Sequence, residues 1–300
     1  MAPEPFFSIV VPTYGRPAQL AACLQALVHL DYPRDRFEVI VVDDGSATPP
    51  EPLVGSFRDR LNVMLVTQPH AGPAAARNTG ATRAQGQFLA FTDDDCTPAR
   101  DWLGALAARF ASGPDRAVGG RIMNALPDNP FSTASQLLLA YLYAYYNVDV
   151  DDARFLASMN LALPADRFRV IGGFDPGFPA AAAEDRDLCD RWRHHGHRIT
   201  YAPEVIVYHA HALSFRTFWR RHINYGRGAF AFHQARARRG GRFWVEPATF
   251  YLNLLRYPFS VGPSEGAPTL AALLALAQGA NALGFLSARL DHRRTAGAPR

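Results

Sequence analysis

The chain has 300 residues, 48% of them hydrophobic, and its 31 basic residues exceed its 27 acidic ones to give a net charge of +4. This length and composition exclude a disordered chain and predict a globular protein, built as one large domain or as two closely packed halves. All the basic residues are arginines, which bind phosphate well, so we expect an anionic ligand or an anionic membrane surface as a partner. A basic leader does not precede the first apolar segment and the three cysteines are far apart, so we expect a cytoplasmic protein with reduced thiols.

The first third of the chain alternates apolar segments with helical ones. Continuous apolar runs are typical of parallel strands covered on both faces, and they predict strands at residues 8–11, 37–42, 62–66 and 88–92. Helices are expected to begin near Pro17 and Pro73, because proline is tolerated in a first turn, and a third near Trp102. The sequence therefore predicts an α/β fold with a mostly parallel sheet sandwiched by helices.

Polar residues follow three of these strands. They are Thr13 and Tyr14 after the first, residues 43–46 after the second, and an acidic triplet after the fourth. Ligands of open α/β sheets bind beyond the carboxyl ends of the strands, so we expect the three clusters to meet in one cleft. Tyr14 can stack on a nucleobase and Asp44 can accept hydrogen bonds from a base or ribose, whereas the alternative for residues 43–46 is an ordinary turn.

The acidic triplet consists of Asp93, Asp94 and Asp95. Alternate side chains of an extended segment share a face, so Asp93 and Asp95 are expected to point to one spot and Asp94 away from it. Two carboxylates so close favour a hard divalent cation, and Mg²⁺ or Mn²⁺ there would share its ligand shell with phosphate oxygens. The alternative is a solvated loop or a cap for the next helix.

A candidate base lies in the second half of the chain. Leu188 and Trp192 are spaced as on one face of a helix, which places Glu184 and Asp185 in its first turn. Carboxylates at that position are favoured by the helix dipole alone. The functional alternative is that Asp185 faces the cleft as a general base.

The order of these segments resembles the family 2 glycosyltransferases of GT-A fold, which are inverting enzymes that use nucleotide-sugar donors. The resemblance covers about residues 6–230, and it depends on residues 8–14, 39–46, 72–78, 93–95, 172–174 and 184–185. It implies a Rossmann-like GT-A sheet, a nucleoside-diphosphate sugar as donor and a glycan or lipid-linked acceptor. Gly15 departs from the family pattern, since many relatives carry asparagine there.

The resemblance also implies roles for individual residues. Those expected to bind the donor are Pro12, Thr13, Tyr14, Asp44, Arg77, Asp94 and Asn160. Asp93 and Asp95 match the family's Asp-x-Asp motif for Mn²⁺ or Mg²⁺. His209 follows a strand from which related sequences reach the metal or the diphosphate, and the alternative is a surface histidine without such a role. Asp185 matches the catalytic base, with Glu184 as second choice. For Asn160 the alternative is an incidental residue at a strand entry, and for Asp94 it is the helix cap.

The C-terminal part combines basic and apolar segments. Arginines and aromatic residues interleave over residues 215–244, and an apolar segment follows at 267–290. We expect a helical extension that docks on the domain or lies against the cytoplasmic face of a membrane, and we expect no nucleic-acid partner. The predicted division is residues 1–120 for the nucleotide sugar, 121–212 for the acceptor and base, and 213–300 for the extension.

Two other functions remain open from the sequence. A nucleotidyltransferase would need a glycine-rich phosphate loop after the first strand, and residues 12–17 are a poor one. A non-catalytic nucleotide-sugar-binding protein would retain the donor site without transfer. Neither a Gln-x-x-Arg-Trp motif nor a set of long membrane helices is present in the sequence, so single-sugar transfer is favoured over processive synthesis.

Overall fold

The computed structural model describes residues 4–178, 182–243, 245–261 and 266–296. Its strands are β1 (Phe7–Thr13), β2 (Phe37–Asp43), β3 (Val63–Thr67), β4 (Phe88–Phe91), β5 (Cys96–Pro98), β6 (Ala117–Asn124), β7 (Leu161–Pro164) and β8 (Ile199–His209). They form one sheet in the order β3-β2-β1-β4-β7-β6-β8-β5. The helices are α1 (Pro17–Val28), α2 (Glu51–Gly55), α3 (Pro73–Arg83), α4 (Trp102–Ser112), α5 (Pro130–Tyr146), α6 (Ala165–Ile171), α7 (Glu184–His194), α8 (Phe215–Arg238), α9 (Ala248–Val261) and α10 (Ala267–Ala296).

The first four strands in chain order are parallel, as their apolar runs predict. β1 pairs with β2 and β4, and β2 pairs with β3. Thr13 lies opposite Asp43, which lies opposite Thr67, so the polar residues that follow these strands start from one edge of the sheet. β7 is antiparallel to β4 and β6, which carries the sheet on into the second half of the chain.

Each face of the sheet is covered by its own apolar cluster. Ile9 and Val11 of β1 pack on one face against α1 and α4, and Leu20, Leu24 and Leu27 of α1 are buried there. Val10 points to the other face, where α3, α6 and α7 contribute Phe168 and Trp192 among others. This alternation fixes β1 in register, since a slip by one residue would exchange the two faces.

The aromatic helix α5 has a well-defined start. It begins at Pro130, and the Asn129 side chain accepts hydrogen bonds from the amides of Phe131 and Ser132. A proline in the first turn and an asparagine cap both favour a helix start at this position. α8 begins in a capping box formed by Ser214 and Thr217. Trp244, the last residue of the predicted basic and aromatic stretch, lies outside the described residues.

The C-terminal extension docks on the domain. α10 crosses α8 closely, because Gly226 of α8 faces the Asn281 carbonyl and Gly284 of α10 faces the Ile223 carbonyl. The outer face of α10 keeps large apolar residues exposed, with Leu283 at 54% and Leu290 at 55%. By length and composition alone the segment Ala267–Arg294 could cross a membrane, with a mean hydropathy of 1.5 in its most apolar window, 28% of which is buried.

A pair of glycine substitutions tests this helix crossing. A Cβ at Gly284 would collide with the Ile223 backbone, so Gly284→Ala is expected to lower the free energy of unfolding by about 1–3 kcal/mol. Gly279 lies on the same helix with open space around it. Gly279→Ala should therefore raise that free energy by roughly 0.5–1 kcal/mol, since alanine is the better helix former. Urea unfolding followed by circular dichroism measures both, and stabilisation by both variants would contradict the close crossing.

Candidate active site

A cavity of about 1140 Å³ lies beside the sheet and collects charged residues from several elements. Asp93 and Asp95 enter it from the turn after β4, Asp185 from the start of α7, His209 from the end of β8 and Arg221 from α8. These residues are far apart in sequence. The sheet and the docking of α8 bring them to a common space.

The acidic triplet lies in a turn and not in an extended segment. Asp93 and Asp95 line the cavity, whereas Asp94 is fully buried. Asp94 accepts a hydrogen bond of 2.7 Å from the Thr13 hydroxyl and pairs with Arg16. Burial raises the pKa of Asp94 to about 7, although Arg16 and Thr13 act in the opposite direction. The helix-cap alternative for Asp94 is wrong, because α4 begins at Trp102 and Asp94 is bound elsewhere.

Asp95 forms the charged centre of the cavity. Its carboxylate lies 3.3 Å from Nε2 of His209 and 2.8 Å from Nη1 of Arg16. Burial alone would raise the pKa of Asp95, but the hydrogen bond and charge of His209, followed by Arg16 and Arg221, hold it well below its usual range. Asp95 is therefore an anion at neutral pH.

Among the described residues, the group that could share a metal ion is Asp95, Cys96 and His209, whose ligand atoms lie within 4.8 Å of one another. Carboxylate oxygen and imidazole nitrogen suit Mn²⁺ and, for the carboxylate, Mg²⁺. Burial raises the pKa of the Cys96 thiol well above its usual value, so its sulfur stays protonated and is a poor ligand for these hard ions. Asp93 is not in this group, although the alternation pattern paired it with Asp95.

His211 supplements this donor set. Its ring stacks on that of His209 at 4.0 Å, and it lines the cavity. Burial, then the neighbouring His209 and Arg221, lower the pKa of His211 to about 2, so the ring is neutral. Both of its nitrogens are buried without a hydrogen-bond partner among the described residues. The residues present thus fit a divalent ion at Asp95 and His209, with His211 beside them.

Arg77 has a different environment from the one expected. It is buried and joins two carboxylates, with Nη2 at 2.7 Å from Asp93 and Nη1 at 3.0 Å from Glu184. Although burial alone would lower the pKa of Arg77, Asp93 and Glu184 raise it, so the guanidinium is always charged. Glu184 is bound in this ion pair, which makes its carboxylate less available as a base, and its role as second choice stays a prediction.

Asp185, the other carboxylate in the first turn of α7, has a shifted pKa. It lines the cavity at the first turn of α7, and one of its oxygens accepts from the Arg186 amide at 2.7 Å. Burial, and next the neighbouring Glu184, raise the pKa of Asp185 to about 7, against the amides of Arg186 and Ser158 and the charge of Arg77. A carboxylate with this pKa can both lose and accept a proton near neutral pH.

The raised pKa predicts a pH profile. Asp185 must be deprotonated to act as a base, so kcat/KM should rise as pH increases through about 7. Glu184→Gln removes the negative charge that helps to raise this pKa, so the acid limb of kcat/KM should move to lower pH. Glu51→Gln, at a surface pair with Arg58, is the matched control and should leave the profile in place. A limb that does not move in Glu184→Gln would contradict the assignment.

A second polar group lies at the ends of β1 and β2. Asp44 accepts hydrogen bonds from Ala71 and Gly72 amides at 2.9 Å and from Gln68, and it pairs with His70. Tyr14 is half exposed, and its ring packs against that of His70 in a tilted arrangement with centroids 4.4 Å apart. Asp44 therefore shapes the loop before α3, and Tyr14 with His70 presents an open aromatic surface. None of these residues lines the large cavity.

Other predicted donor residues have structural contacts. Pro12 and Thr13 are buried at the end of β1. Asn160 is fully buried: its amide nitrogen donates to the carbonyls of Arg121 and Val205, and its oxygen accepts from Trp102 at 2.9 Å. Asn160 is thus bound into the fold and does not line the cavity, which agrees with the alternative reading of an incidental residue at a strand entry. Its donor-binding role stays a prediction.

Two glycine positions follow backbone geometry. Gly15 has a φ of +64°, and its amide donates to Ser46 at 2.8 Å. Asparagine is among the residues that tolerate this left-handed conformation, so the departure from the family pattern preserves the turn. Gly173 has a φ of +67°, and the adjoining Phe174 exchanges two hydrogen bonds with Asn78 of α3. The loop at Gly173 and Phe174, which precedes α7 in the chain, is therefore fixed to α3.

Sequence reasoning missed Arg16, His70 and Arg221. Arg16 contacts both Asp94 and Asp95, and the charge of Arg221 acts on Asp95 from the C-terminal extension. No sequence pattern distinguishes a single arginine after a strand, or one within an arginine-rich helix, from an ordinary surface arginine. Only the folded structure shows that Arg16 and Arg221 lie near Asp95.

Comparison with known proteins identifies the family of this chain. The model of the family described as Glycosyl transferase family 2 matches residues 8–162, just over half of the chain. The pre-mycofactocin glycosyltransferase of Mycobacterium tuberculosis is 32% identical over 229 residues, covering 74% of this chain and 46% of that protein. Glycosyltransferase AglE of Haloferax volcanii is 27% identical, with 75% and 73% covered, and validoxylamine A glucosyltransferase of Streptomyces hygroscopicus is 31% identical, with 67% and 54% covered. The chain spans about half the length of two of these three relatives.

Solved structures share the fold. A mannosyltransferase from Pyrobaculum calidifontis, in complex with GDP-Man and Mn²⁺, has a TM-score of 0.65 at 20% identity, covering 93% of this chain and 88% of that one. TarS residues 1–349 of S. aureus, in complex with UDP-GlcNAc, has a TM-score of 0.58 at 17% identity, covering 97% and 92%. Sheet, helices and extension define a GT-A protein, as predicted. The chain belongs to glycosyl transferase family 2.

Proposed function

We propose that this protein transfers a sugar from a nucleoside-diphosphate sugar to an acceptor hydroxyl, with inversion at the anomeric carbon and with bound Mn²⁺ or Mg²⁺. The observation that carries the proposal is one cavity lined by both Asp185, whose pKa is raised, and the Asp95–His209 pair. A base and a cation site facing the same space suit the two ends of a displacement at carbon.

The similar proteins support this chemistry. Three relatives carry glycosyltransferase or glucosyltransferase names, and two structural neighbours were solved with GDP-Man and with UDP-GlcNAc. Mn²⁺ is present with the first of these donors. We propose a nucleotide sugar of this general kind as the donor.

The chain's own residues account for the steps. Asp185 accepts the proton of the acceptor hydroxyl, whose oxygen forms a bond to the anomeric carbon. The bond from that carbon to the diphosphate oxygen breaks, and the nucleoside diphosphate leaves with the electron pair. Arg16 and Arg221 place positive charge near Asp95, where it attracts the diphosphate. When bound at Asp95 and His209, the metal neutralises charge on the leaving group.

We assign the nucleobase to Tyr14, His70 and Asp44, which lie outside the cavity. The rings of Tyr14 and His70 pack against each other, and Asp44 holds the neighbouring loop amides. Aromatic faces bind bases by stacking. We assign residues 1–120 to the donor, 121–212 to the acceptor and base, and 213–300 to the extension. These are parts of one structure, since the sheet continues through both halves and β6 spans residue 120.

The extension suits work at a membrane surface. The exposed apolar face of α10 and the arginines of α8 match the apolar and anionic parts of a bilayer. We propose peripheral attachment at the cytoplasmic face and a role in cell-envelope glycan or glycolipid synthesis. Sedimentation with anionic vesicles at low salt tests the attachment, and the absence of any salt-sensitive binding would contradict it.

The experiment for the proposed function is a donor panel. The protein is incubated with uridine, guanosine and thymidine diphosphate sugars, with Mn²⁺, with Mg²⁺ or with chelator, and release of nucleoside diphosphate is followed. Metal-stimulated release from one donor supports the proposal. Donor binding without release across acceptors would favour a non-catalytic protein, and release of pyrophosphate from a sugar phosphate and a nucleoside triphosphate would favour a nucleotidyltransferase.

A further inference from the structure

The cavity extends far beyond the charged residues. From Asp93, Asp95 and Asp185 it continues between α5, α8 and α10, and its volume of about 1140 Å³ exceeds the roughly 300–1000 Å³ usual for ligand pockets. The group assigned to the nucleobase does not line it. The space beyond the carboxylates is therefore available to the acceptor.

The walls of the cavity between α5, α8 and α10 are mostly apolar. Leu139 and Leu142 face it from α5, Phe285 from α10 and Phe243 from the segment after α8. The rings of Phe243 and Phe285 lie 6.2 Å apart. Such walls stabilise an aliphatic or aromatic group and give little to a fully hydroxylated sugar chain.

Three polar residues stand among these apolar walls. Ser135, Gln136 and Asn281 line the cavity, and their side-chain oxygens are buried without a hydrogen-bond partner among the described residues. A buried polar atom without a partner costs free energy, so these positions are suited to partners on a ligand. Carbonyl oxygens of Gln136 and Asn281 accept, which requires donors such as hydroxyl groups.

We propose that the apolar part of this cavity binds the acceptor as an amphiphile. A hydroxyl-bearing head lies near Asp185 and an apolar body lies along α5 and α10. The inference rests on the proposed function, because it places the accepting hydroxyl at the base. The mouth supports delivery of such a molecule, since Leu286 lines the cavity and is 52% exposed beside Leu283 and Leu290. The apolar walls desolvate the body, and Ser135, Gln136 and Asn281 are the polar residues that line the cavity beside it.

Alkyl glucosides are the probe for this cavity. Binding of methyl, butyl, hexyl and octyl β-glucoside, kept below micelle formation, is measured by calorimetry. Affinity should rise by about fourfold for each methylene that enters the cavity. Affinity that does not depend on chain length would overturn the proposal.

A matched pair of variants locates the binding. Ala282 and Ala275 are both exposed on α10, but Ala282 lines the cavity and Ala275 does not. Ala282→Trp should weaken octyl glucoside binding at least tenfold, and Ala275→Trp should leave it unchanged, with thermal unfolding as the check that both fold. Equal binding by the two variants would overturn the proposal.

A photoreactive octyl glucoside with a diazirine at the end of its chain gives a second readout in the unmodified protein. Labelled peptides should contain Leu142 or Phe285, and labelling confined to the outer face of α10 would overturn the proposal. Repeating the binding with the probe in vesicles distinguishes a membrane lipid from a soluble amphiphile as its source. Donor turnover is measured separately. Probe binding without turnover would contradict the proposed function, and turnover without probe binding would contradict this inference.

Discussion

Asp185→Asn is expected to reduce kcat for sugar transfer by about 10²–10⁴-fold while leaving donor affinity close to that of the unchanged protein. The amide has nearly the same shape as the carboxylate but cannot accept the proton of the acceptor hydroxyl. The loss is expected because the raised pKa of Asp185 suits its carboxylate to proton transfer near neutral pH, which an amide cannot perform. Transfer assays with saturating donor, together with donor titration, separate kcat from binding.

Asp190→Asn is the control for this variant. Asp190 lies on the same helix and pairs with Arg236 and Arg239 away from the cavity. It should leave kcat unchanged. If Asp185→Asn retained full activity, or if Asp190→Asn lost as much, Asp185 would not be the base.

Asp95→Asn is expected to abolish the stimulation by Mn²⁺ and to lower the rate by on the order of 10²–10³-fold. The substitution removes the anionic oxygen that lies between His209 and Arg16, and it leaves Arg16 paired with Asp94 alone. A metal held by neutral ligands alone binds weakly, and Arg16 loses one of its two carboxylate contacts.

Thermal unfolding with and without Mn²⁺ gives a readout of this variant that does not depend on turnover. Mn²⁺ should raise the Tm of the unchanged protein, since a ligand that binds only the native state stabilises it. The shift should vanish in Asp95→Asn. A shift of equal size in both proteins would place the ion elsewhere.

The positions of the first four strands and their parallel arrangement could be predicted because they depend on local patterns. Apolar runs bounded by proline, glycine and acidic residues define β1, β2 and β4, and burial of both faces requires such runs. The starts of α1 and α3 follow from Pro17 and Pro73. The motif order supplied the family, which is confirmed.

Side-chain partners could not be predicted from the same patterns. Arg77 joins Asp93 to Glu184, a residue 107 positions from it, and Asn160 binds carbonyls of two other strands. Such contacts depend on strand crossings that no local spacing encodes. The extended-chain alternation gave a correct orientation for Asp93 and Asp95 for the wrong reason, since a turn and two arginines set their directions. Their roles at a metal stay a prediction.

The anomeric configuration of the sugar released from the donor tests the central claim most directly. With an α-linked nucleotide sugar, Mn²⁺ and water as acceptor, proton NMR during the first minutes records the new sugar before its anomers equilibrate. Activation of the attacking oxygen by Asp185 on the face opposite the leaving diphosphate predicts the β anomer. Release of the α anomer would contradict a single displacement with Asp185 as its base.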